Sequence, residues 1–212
     1  MSEEGDRGGA ASAAVSRVFL KSAAVLVVGA WLGSSWFMAW VATQNFRSVD
    51  RLLEAPRSAE AAREVETMGR DRARAFLRHQ VSEQNRWYFS RWESLQLPLA
   101  IGVYVLALFA ARRDRWAVLA AGLMLVIVMA QKLFLTPAIV TLGRAIDFLP
   151  PAAASLERAQ FWRYHGAYSA AEVSKWAAGL LLAGRLILVG RRGSGGAKLD
   201  RVDKADHRHI DR

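Results

Sequence analysis

Residues 161–189 read FWRYHGAYSAAEVSKWAAGLLLAGRLILV, and this stretch decides the fold. As a helix rising about 1.5 Å per residue, it is long enough to cross the roughly 30 Å hydrocarbon core of a bilayer. Helical spacing places its polar residues on one face, which holds His165, Ser169, Glu172, Trp176, Gly179 and Ala183, with Tyr168 beside it and Lys175 at its edge. Buried charges inside a membrane are costly unless they face protein or water, so this face must meet other helices.

The composition indicates a membrane protein. Of 212 residues, 53% are hydrophobic, and these are concentrated in four blocks bordered by arginine and tryptophan. The formal net charge of +10 would suggest nucleic acid in a soluble protein, but basic residues beside apolar blocks favour anionic lipid headgroups instead. The chain has no cysteine, which excludes disulfides, thiolate metal sites and a cysteine nucleophile.

The four blocks predict an all-α fold, an integral membrane four-helix bundle within residues 17–190. The predicted spans cover about 18–46, 92–111, 116–142 and 164–190, with disordered tails at 1–16 and 191–212. Pro137 is expected to kink the third span and free a carbonyl. Close helix packing is predicted at small residues: Gly29, Gly33, Gly179 and Ala183.

Between the first two spans, residues 47–91 form a predicted extramembrane insertion. Residues 58–84 are rich in Ala, Glu and Arg and favour helix, either as a solvated hairpin or as one long helix. The aromatic and basic run at 86–92 predicts re-entry into the membrane interface. An alternative function for the 58–84 helix is partner docking.

The arrangement of basic residues predicts a cytoplasmic location for both termini. Four spans place the two tails on one side, together with the very short basic turn at 112–115. Short cytoplasmic loops carry an excess of Lys and Arg, so this turn favours an N-in, C-in topology.

Counting from the span ends brings the polar residues together in the outer half of the bundle. This pattern predicts a polar pocket or, equally, a satisfied buried network that fixes helix packing. Within it we expect Glu172 to pair with Lys132, because each alone would be an unpaired charge. The candidate pocket residues are Gln44, Asn45, Glu93, Gln131, Lys132, His165, Tyr168, Glu172 and Lys175, with Gln96 close to Glu93.

Catalytic and cofactor signals are sparse. His165 and Glu172 are two helical turns apart and offer two ligands for a metal site, which usually needs three or more. No phosphate loop, Ser-His-Asp order or zinc motif is present, so no catalytic residue is assigned and a non-enzymatic role is favoured. No cofactor is predicted.

Two segments carry a family resemblance. Residues 29–33, GAWLG, leading to 45–48, NFRS, and residues 161–166, FWRYHG, resemble the family that contains transmembrane protein 205 and bacterial four-span relatives. This resemblance implies a multi-pass protein of a bacterial inner membrane and assigns no reaction. The 51–91 region is longer than expected for animal members, so nothing is carried over to it.

The first span is also similar to that of copper-resistance proteins and small haem-binding protoporphyrinogen oxidases, through Leu20-Lys21, Trp31 and Gly33. Those families often carry a histidine three residues after the lysine, where this chain has Ala24. The resemblance implies a membrane haem or metal redox protein as an alternative function, without its most characteristic ligand.

The sequence therefore predicts a membrane protein for small-solute or ion handling, or an accessory subunit, that uses the polar pocket. The alternatives are the haem or metal redox protein and a scaffold that binds a partner through residues 58–84. The expected partners are the lipid bilayer and a membrane protein or second copy, and nucleic acid is not expected.

Overall fold

The computed structural model describes residues 3–111, 114–150 and 154–206, with side chains described from residue 15 to residue 188 apart from residue 17 and those gaps. The fold is all-α, as predicted, and the described residues contain no strand. The elements in chain order are α1 (Glu3–Glu54), α2 (Ala59–Met68), α3 (Arg70–Ala110), α4 (Arg115–Ala130), a π-helical turn (Gln131–Leu135), α5 (Thr136–Ile146) and α6 (Leu156–Asp206).

Three helical segments are long and apolar enough to cross a membrane. They are Val18–Glu54, Arg70–Ala110 and Arg115–Ile146, and they contain the first three predicted spans almost entirely. The fourth predicted span lies inside α6, and its crossing of the membrane stays a prediction. α1 and α6 extend into the segments predicted as disordered tails, and residues 1–2 and 207–212 of those tails lie outside the described residues.

The predicted insertion at 47–91 is almost entirely helical but is not separated from the second span. α3 runs without interruption from Arg70 to Ala110, so the aromatic run at 86–92 lies within a helix. The break falls earlier, at Gly69, whose φ of 81° suits a residue without Cβ. Ser58 begins α2 by accepting the backbone N–H of Ala61. The chain therefore forms a helical pair around Gly69.

The kink predicted at Pro137 takes the form of a π-helical turn. Proline has no N–H to donate to the carbonyl four residues earlier, so the regular hydrogen-bond ladder fails at this point. The backbone N–H of Thr136 bonds to the carbonyl of Gln131, five residues back. This wider turn carries Gln131, whose side chain is buried.

The chain divides into two compact units. The first consists of Met1–Ala30, Ala100–Leu125 and Trp176–Arg212, and its buried side chains are mainly alanines with Met124 and Leu182. Small side chains let helices approach closely. The second consists of Trp31–Leu99 and Val126–Lys175 and holds all nine candidate pocket residues.

Within the first unit, Asp114 links the start of α4 to α6. Its carboxylate accepts Arg185 Nε at 2.8 Å and Nη2 at 3.0 Å, and also the backbone N–H of Trp116 and of Ala117. The Arg185 guanidinium holds the pKa of Asp114 below its usual value. Asp114 thus caps the start of α4. It also forms an ion pair with Arg185, the only charged side chain that it contacts among the described residues.

Candidate functional site

Lys175 lies at the centre of a polar cluster in the second unit. Its side chain is 0% exposed, and its Nζ donates to Oε1 of Gln96 at 2.5 Å, of Glu172 at 2.6 Å and of Gln131 at 3.5 Å. The ammonium lies 5.8 Å from the ring centre of Trp31. A lysine has three N–H donors, so three oxygens satisfy it. We call these five residues the Lys175 cluster.

Two further hydrogen bonds close the Lys175 cluster. The indole N–H of Trp31 donates to Gln96 Oε1 at 3.0 Å, and Gln131 Nε2 donates to Glu172 Oε1 at 3.0 Å. Since Gln96 Oε1 faces two donors, its amide orientation is fixed by its partners. The cluster therefore joins one residue each from α1, α3 and the π-helical turn to two residues of α6.

The buried face of α6 is rotated from the predicted one. Lys175 was placed at the edge of that face, but it is fully buried, whereas His165 and Ser169 are exposed. Residues seven apart point the same way on a helix, so Lys175 shares its direction with buried Leu182. The inward-facing residues of α6 follow one another at alternating intervals of four and three residues. They are Tyr168, Glu172, Lys175, Gly179, Leu182 and Leu186.

The predicted pairing of Glu172 with Lys132 is wrong. Glu172 pairs with Lys175, three residues further along the same helix, at 2.6 Å. Lys132 instead donates to the hydroxyl of Ser94 at 3.1 Å. Neighbours on one helical turn meet without any long-range alignment, which explains why the local partner wins.

Glu93 is a second buried carboxyl, 3% exposed, one helical turn before Gln96 on α3. The hydroxyl of Thr136 donates to Glu93 Oε1, and Tyr168 lies next to the same carboxyl. Glu93 forms no ion pair within 4 Å among the described residues. Two carboxyls with different surroundings therefore occur in one unit.

The register between α1 and α3 places Ser35 at the level of Glu93. The hydrogen bonds from Trp31 to Gln96 and from Asn85 to the carbonyl of Ala42 show that these helices run antiparallel. Ser35 is one turn after Trp31 and Glu93 is one turn before Gln96, so they face the same level. We call Ser35, Glu93, Thr136 and Tyr168 the Glu93 layer.

Several buried polar atoms of this unit have no partner. Ser35 Oγ and Gln96 Nε2 form no hydrogen bond to any described residue, and the Tyr168 hydroxyl lies beside the Glu93 carboxyl without a well-aligned hydrogen bond. Ser35 is 4% exposed and Gln96 0% exposed, so bulk water does not reach their side chains. Buried polar groups in proteins are almost always satisfied, so these three atoms are available to bind water or a small polar solute.

Besides Lys132, three predicted pocket residues lie outside this cluster and layer. Asn45 donates to Asn85 Oδ1 at 2.7 Å, and Gln44 accepts from Arg51 at 3.3 Å. His165 is exposed and stacks on Phe161 with ring centres 5.7 Å apart. The proposed metal role of His165 stays a hypothesis.

The predicted packing glycines behave differently from one another. Gly29 and Gly33 are exposed, and a Cβ on either would meet no atom within 4 Å. No described residue packs against either glycine, so their role in helix packing stays a prediction. Gly179 is buried and Ala183 is partly buried, as their inward side of α6 requires.

An ion-pair network outside the predicted spans joins α3 to the end of α5. Arg86 donates to both oxygens of Asp147, at 2.8 and 2.7 Å, and to Glu83 at 2.6 Å. Arg144 binds Glu83 bidentately, and His79 lies 2.9 Å from Asp147. The hydrogen bond from Arg144, and to a smaller extent that from Arg86, lowers the pKa of Glu83 to about 2.

The same network contains ligand-type atoms of His79, Glu83 and Asp147 within 4.8 Å of one another. A metal ion would need these atoms, but the Arg86 guanidinium already occupies both Asp147 oxygens and reaches Glu83. A cation beside a bound arginine would be repelled. We therefore interpret the group as a structural ion-pair network.

Trp31, Ser35 and Thr136 were missed by reasoning from the sequence. The sequence places Trp31 only in the resemblance of the first span to copper-resistance and haem-binding proteins, and gives it no hydrogen bond. A Trp–x₃–Ser spacing on one helical face carries no distinctive polarity, and Thr136 was considered only as the neighbour of Pro137. Their roles depend on the register between helices, which a single sequence does not reveal.

Comparison of the chain with protein-family models, with curated proteins and with solved structures finds no match in any of the three.

Proposed function

We propose that this chain is a multi-pass integral membrane protein that handles a small ion or polar solute at the Lys175 cluster and the Glu93 layer, with α6 as a fourth span. Three helical segments already meet the length and hydropathy of membrane spans. Charged side chains inside such segments are costly and mark ion or solute sites by default.

The observation that carries this proposal is the set of unpartnered atoms on Ser35, Gln96 and Tyr168. A polar network that only fixes helix packing is most stable when every member is satisfied. Here the Lys175 ammonium is fully satisfied, while Gln96 Nε2 of the same cluster and the Ser35 and Tyr168 hydroxyls of the Glu93 layer are not. That asymmetry favours a site that takes up a small polar species.

Reconstituted protein provides the test. Capacitive currents would be recorded from proteoliposomes after concentration jumps of protons, sodium, potassium, chloride and small carboxylates. The wild type should give a current with at least one of these, and the doubly neutral variant Glu172→Gln/Lys175→Met should lose it. Ser174→Ala, on the exposed side of α6, is the matched control and should keep the current.

Absence of a current with every one of these species, or an equal current in the doubly neutral variant, would contradict the proposal. Folding of each variant is checked by size-exclusion chromatography and circular dichroism before reconstitution.

We also propose membership of the family that contains transmembrane protein 205, with both termini in the cytoplasm of a bacterial cell. The support is the paired segments at 29–48 and 161–166 and the basic turn at 112–115. An accessory role beside a membrane partner or a second copy fits the same proposal.

A second candidate function is partner docking on the helical pair around Gly69. An apolar groove there is lined by Leu52, Val65, Leu77 and neighbouring residues, and Met68 and Phe76 are 42% and 52% exposed at its edge. Large exposed apolar side chains mark binding surfaces. Met68→Ser/Phe76→Ser should abolish co-purification of a stoichiometric partner, and an unchanged complex would exclude this surface.

A further inference from the structure

Glu93 is unlike Glu172, the partly buried carboxyl of the Lys175 cluster, because no cation touches it. Glu172 has the Lys175 ammonium at 2.6 Å, whereas Glu93 is contacted by the hydroxyl of Thr136 and lies beside that of Tyr168. Removing an ionised carboxylate from water without a paired cation is so costly that the group takes up a proton instead.

The charged groups around Glu93 are already engaged. Lys132, from the π-helical turn, donates to Ser94, and Lys175, from α6, donates to Glu172 and two glutamines. Both ammonium groups act on Glu93 only through space. On the α1 side, the residue at this level is Ser35, which carries no charge.

We propose that the Glu93 layer is a proton-binding site and that the Glu93 carboxyl carries the proton. Uptake forms one O–H bond on the carboxylate from a hydronium ion and leaves water, and release reverses this exchange without any other reactant. This inference rests on the proposed function, for which it names the ion.

The hydroxyl of Tyr168 suits both protonation states of Glu93. A hydroxyl both donates and accepts, so the Tyr168 hydroxyl beside Glu93 can accept from a neutral carboxylic acid and donate to a carboxylate. Thr136 already donates to Glu93 Oε1, which leaves Oε2 as the oxygen that carries the proton. A neighbour that could only donate, or only accept, a hydrogen bond would suit just one of the two protonation states of Glu93.

Infrared difference spectroscopy on the full chain in lipid nanodiscs tests this directly. The carbonyl stretch of a protonated carboxylic acid is resolved from that of a carboxylate. At neutral pH the wild type should show this band, and it should disappear on raising the pH. Glu93→Gln should lack it, and Glu83→Gln, outside the predicted spans, should retain it.

Tyr168→Phe keeps the proposal testable if Glu93→Gln does not fold. Removing the adjacent hydroxyl should shift the band frequency, whereas Phe at an exposed position such as Tyr164 should not. No protonated-carboxyl band at neutral pH, a band that persists in Glu93→Gln, or no shift in Tyr168→Phe would each overturn the inference.

The two proposals fail separately. A Glu93 band without any current in proteoliposomes contradicts the proposed function and leaves the proton site intact. A current without a Glu93 band contradicts the proton site alone.

Discussion

The Glu172–Lys175 pair gives the sharpest quantitative prediction. Lys175 is 0% exposed, so it cannot rehydrate when its counter-charge is removed. Glu172→Gln leaves an amide oxygen that can still accept from the ammonium, so we expect a loss of about 3 kcal/mol, at the low end for breaking a buried pair. Lys175→Met leaves a carboxylate that is 16% exposed and still bonded to Gln131. Its cost should be about 1–3 kcal/mol, the price of one under-satisfied buried group.

The double variant Glu172→Gln/Lys175→Met should be less damaging than the sum of the two. It buries no charge, so its loss should fall about 2–3 kcal/mol below additivity. The free energy of unfolding would be measured in mixed micelles of dodecyl maltoside and SDS, followed by tryptophan fluorescence. Lys132→Met is the control, and combined with Glu172→Gln it should be additive within about 0.5 kcal/mol.

If the losses in free energy of unfolding for Glu172→Gln and Lys175→Met simply add in the double variant, the two side chains do not interact and the pair is refuted. Coupling of Glu172 to Lys132 instead would restore the pairing that the structure rejects.

Three further predictions concern the region around the ion-pair network and Gly69. The pKa of Glu83 is about 2 in the folded state against 4.5 in the unfolded state. The stabilisation from ionised Glu83 is therefore present above pH 4.5 and is lost as the pH falls towards 2. The difference in unfolding midpoint between wild type and Glu83→Gln should shrink over that range. Gly69→Ala should cost about 1–3 kcal/mol in chemical denaturation, because φ is 81° there. Gly143→Ala should lower the thermal midpoint by the equivalent of about 1–3 kcal/mol, since its Cβ would lie 2.9 Å from Arg86 Nη2. As the control for these two glycine changes, Gly166→Ala meets nothing within 4 Å and should be neutral or slightly stabilising.

Much of the fold follows from the sequence because long apolar runs have few alternatives to helix. The first three spans and the disturbance at Pro137 were predicted from hydropathy and from the missing N–H. The continuity of α3 through residues 86–92 was not, because the aromatic and basic composition of an interface is compatible with an unbroken helix.

The sequence predicted which residues make up much of the candidate site, but not which of them pair with one another. Glu93, Gln131, Glu172 and Lys175 were selected because each is polar within an apolar run. The depth of a residue in the membrane can be counted along a span from the sequence. The rotation of the helix about its axis cannot, so the predicted inward face can be wrong by one neighbouring residue position. An error of that size on α6 moved Lys175 from the edge of the buried face to its centre, and so gave Glu172 the wrong partner.

The central claim is that the Lys175 cluster lies inside the membrane. The chain has no cysteine, so single cysteines can be introduced cleanly for spin labelling in nanodiscs. A label on Ser174→Cys, exposed on α6 beside Lys175, should relax more with oxygen than with a polar nickel complex. A label on Thr67→Cys, exposed on α2, should show the reverse. Greater accessibility of position 174 to the nickel complex would place the cluster outside the hydrocarbon and contradict the account.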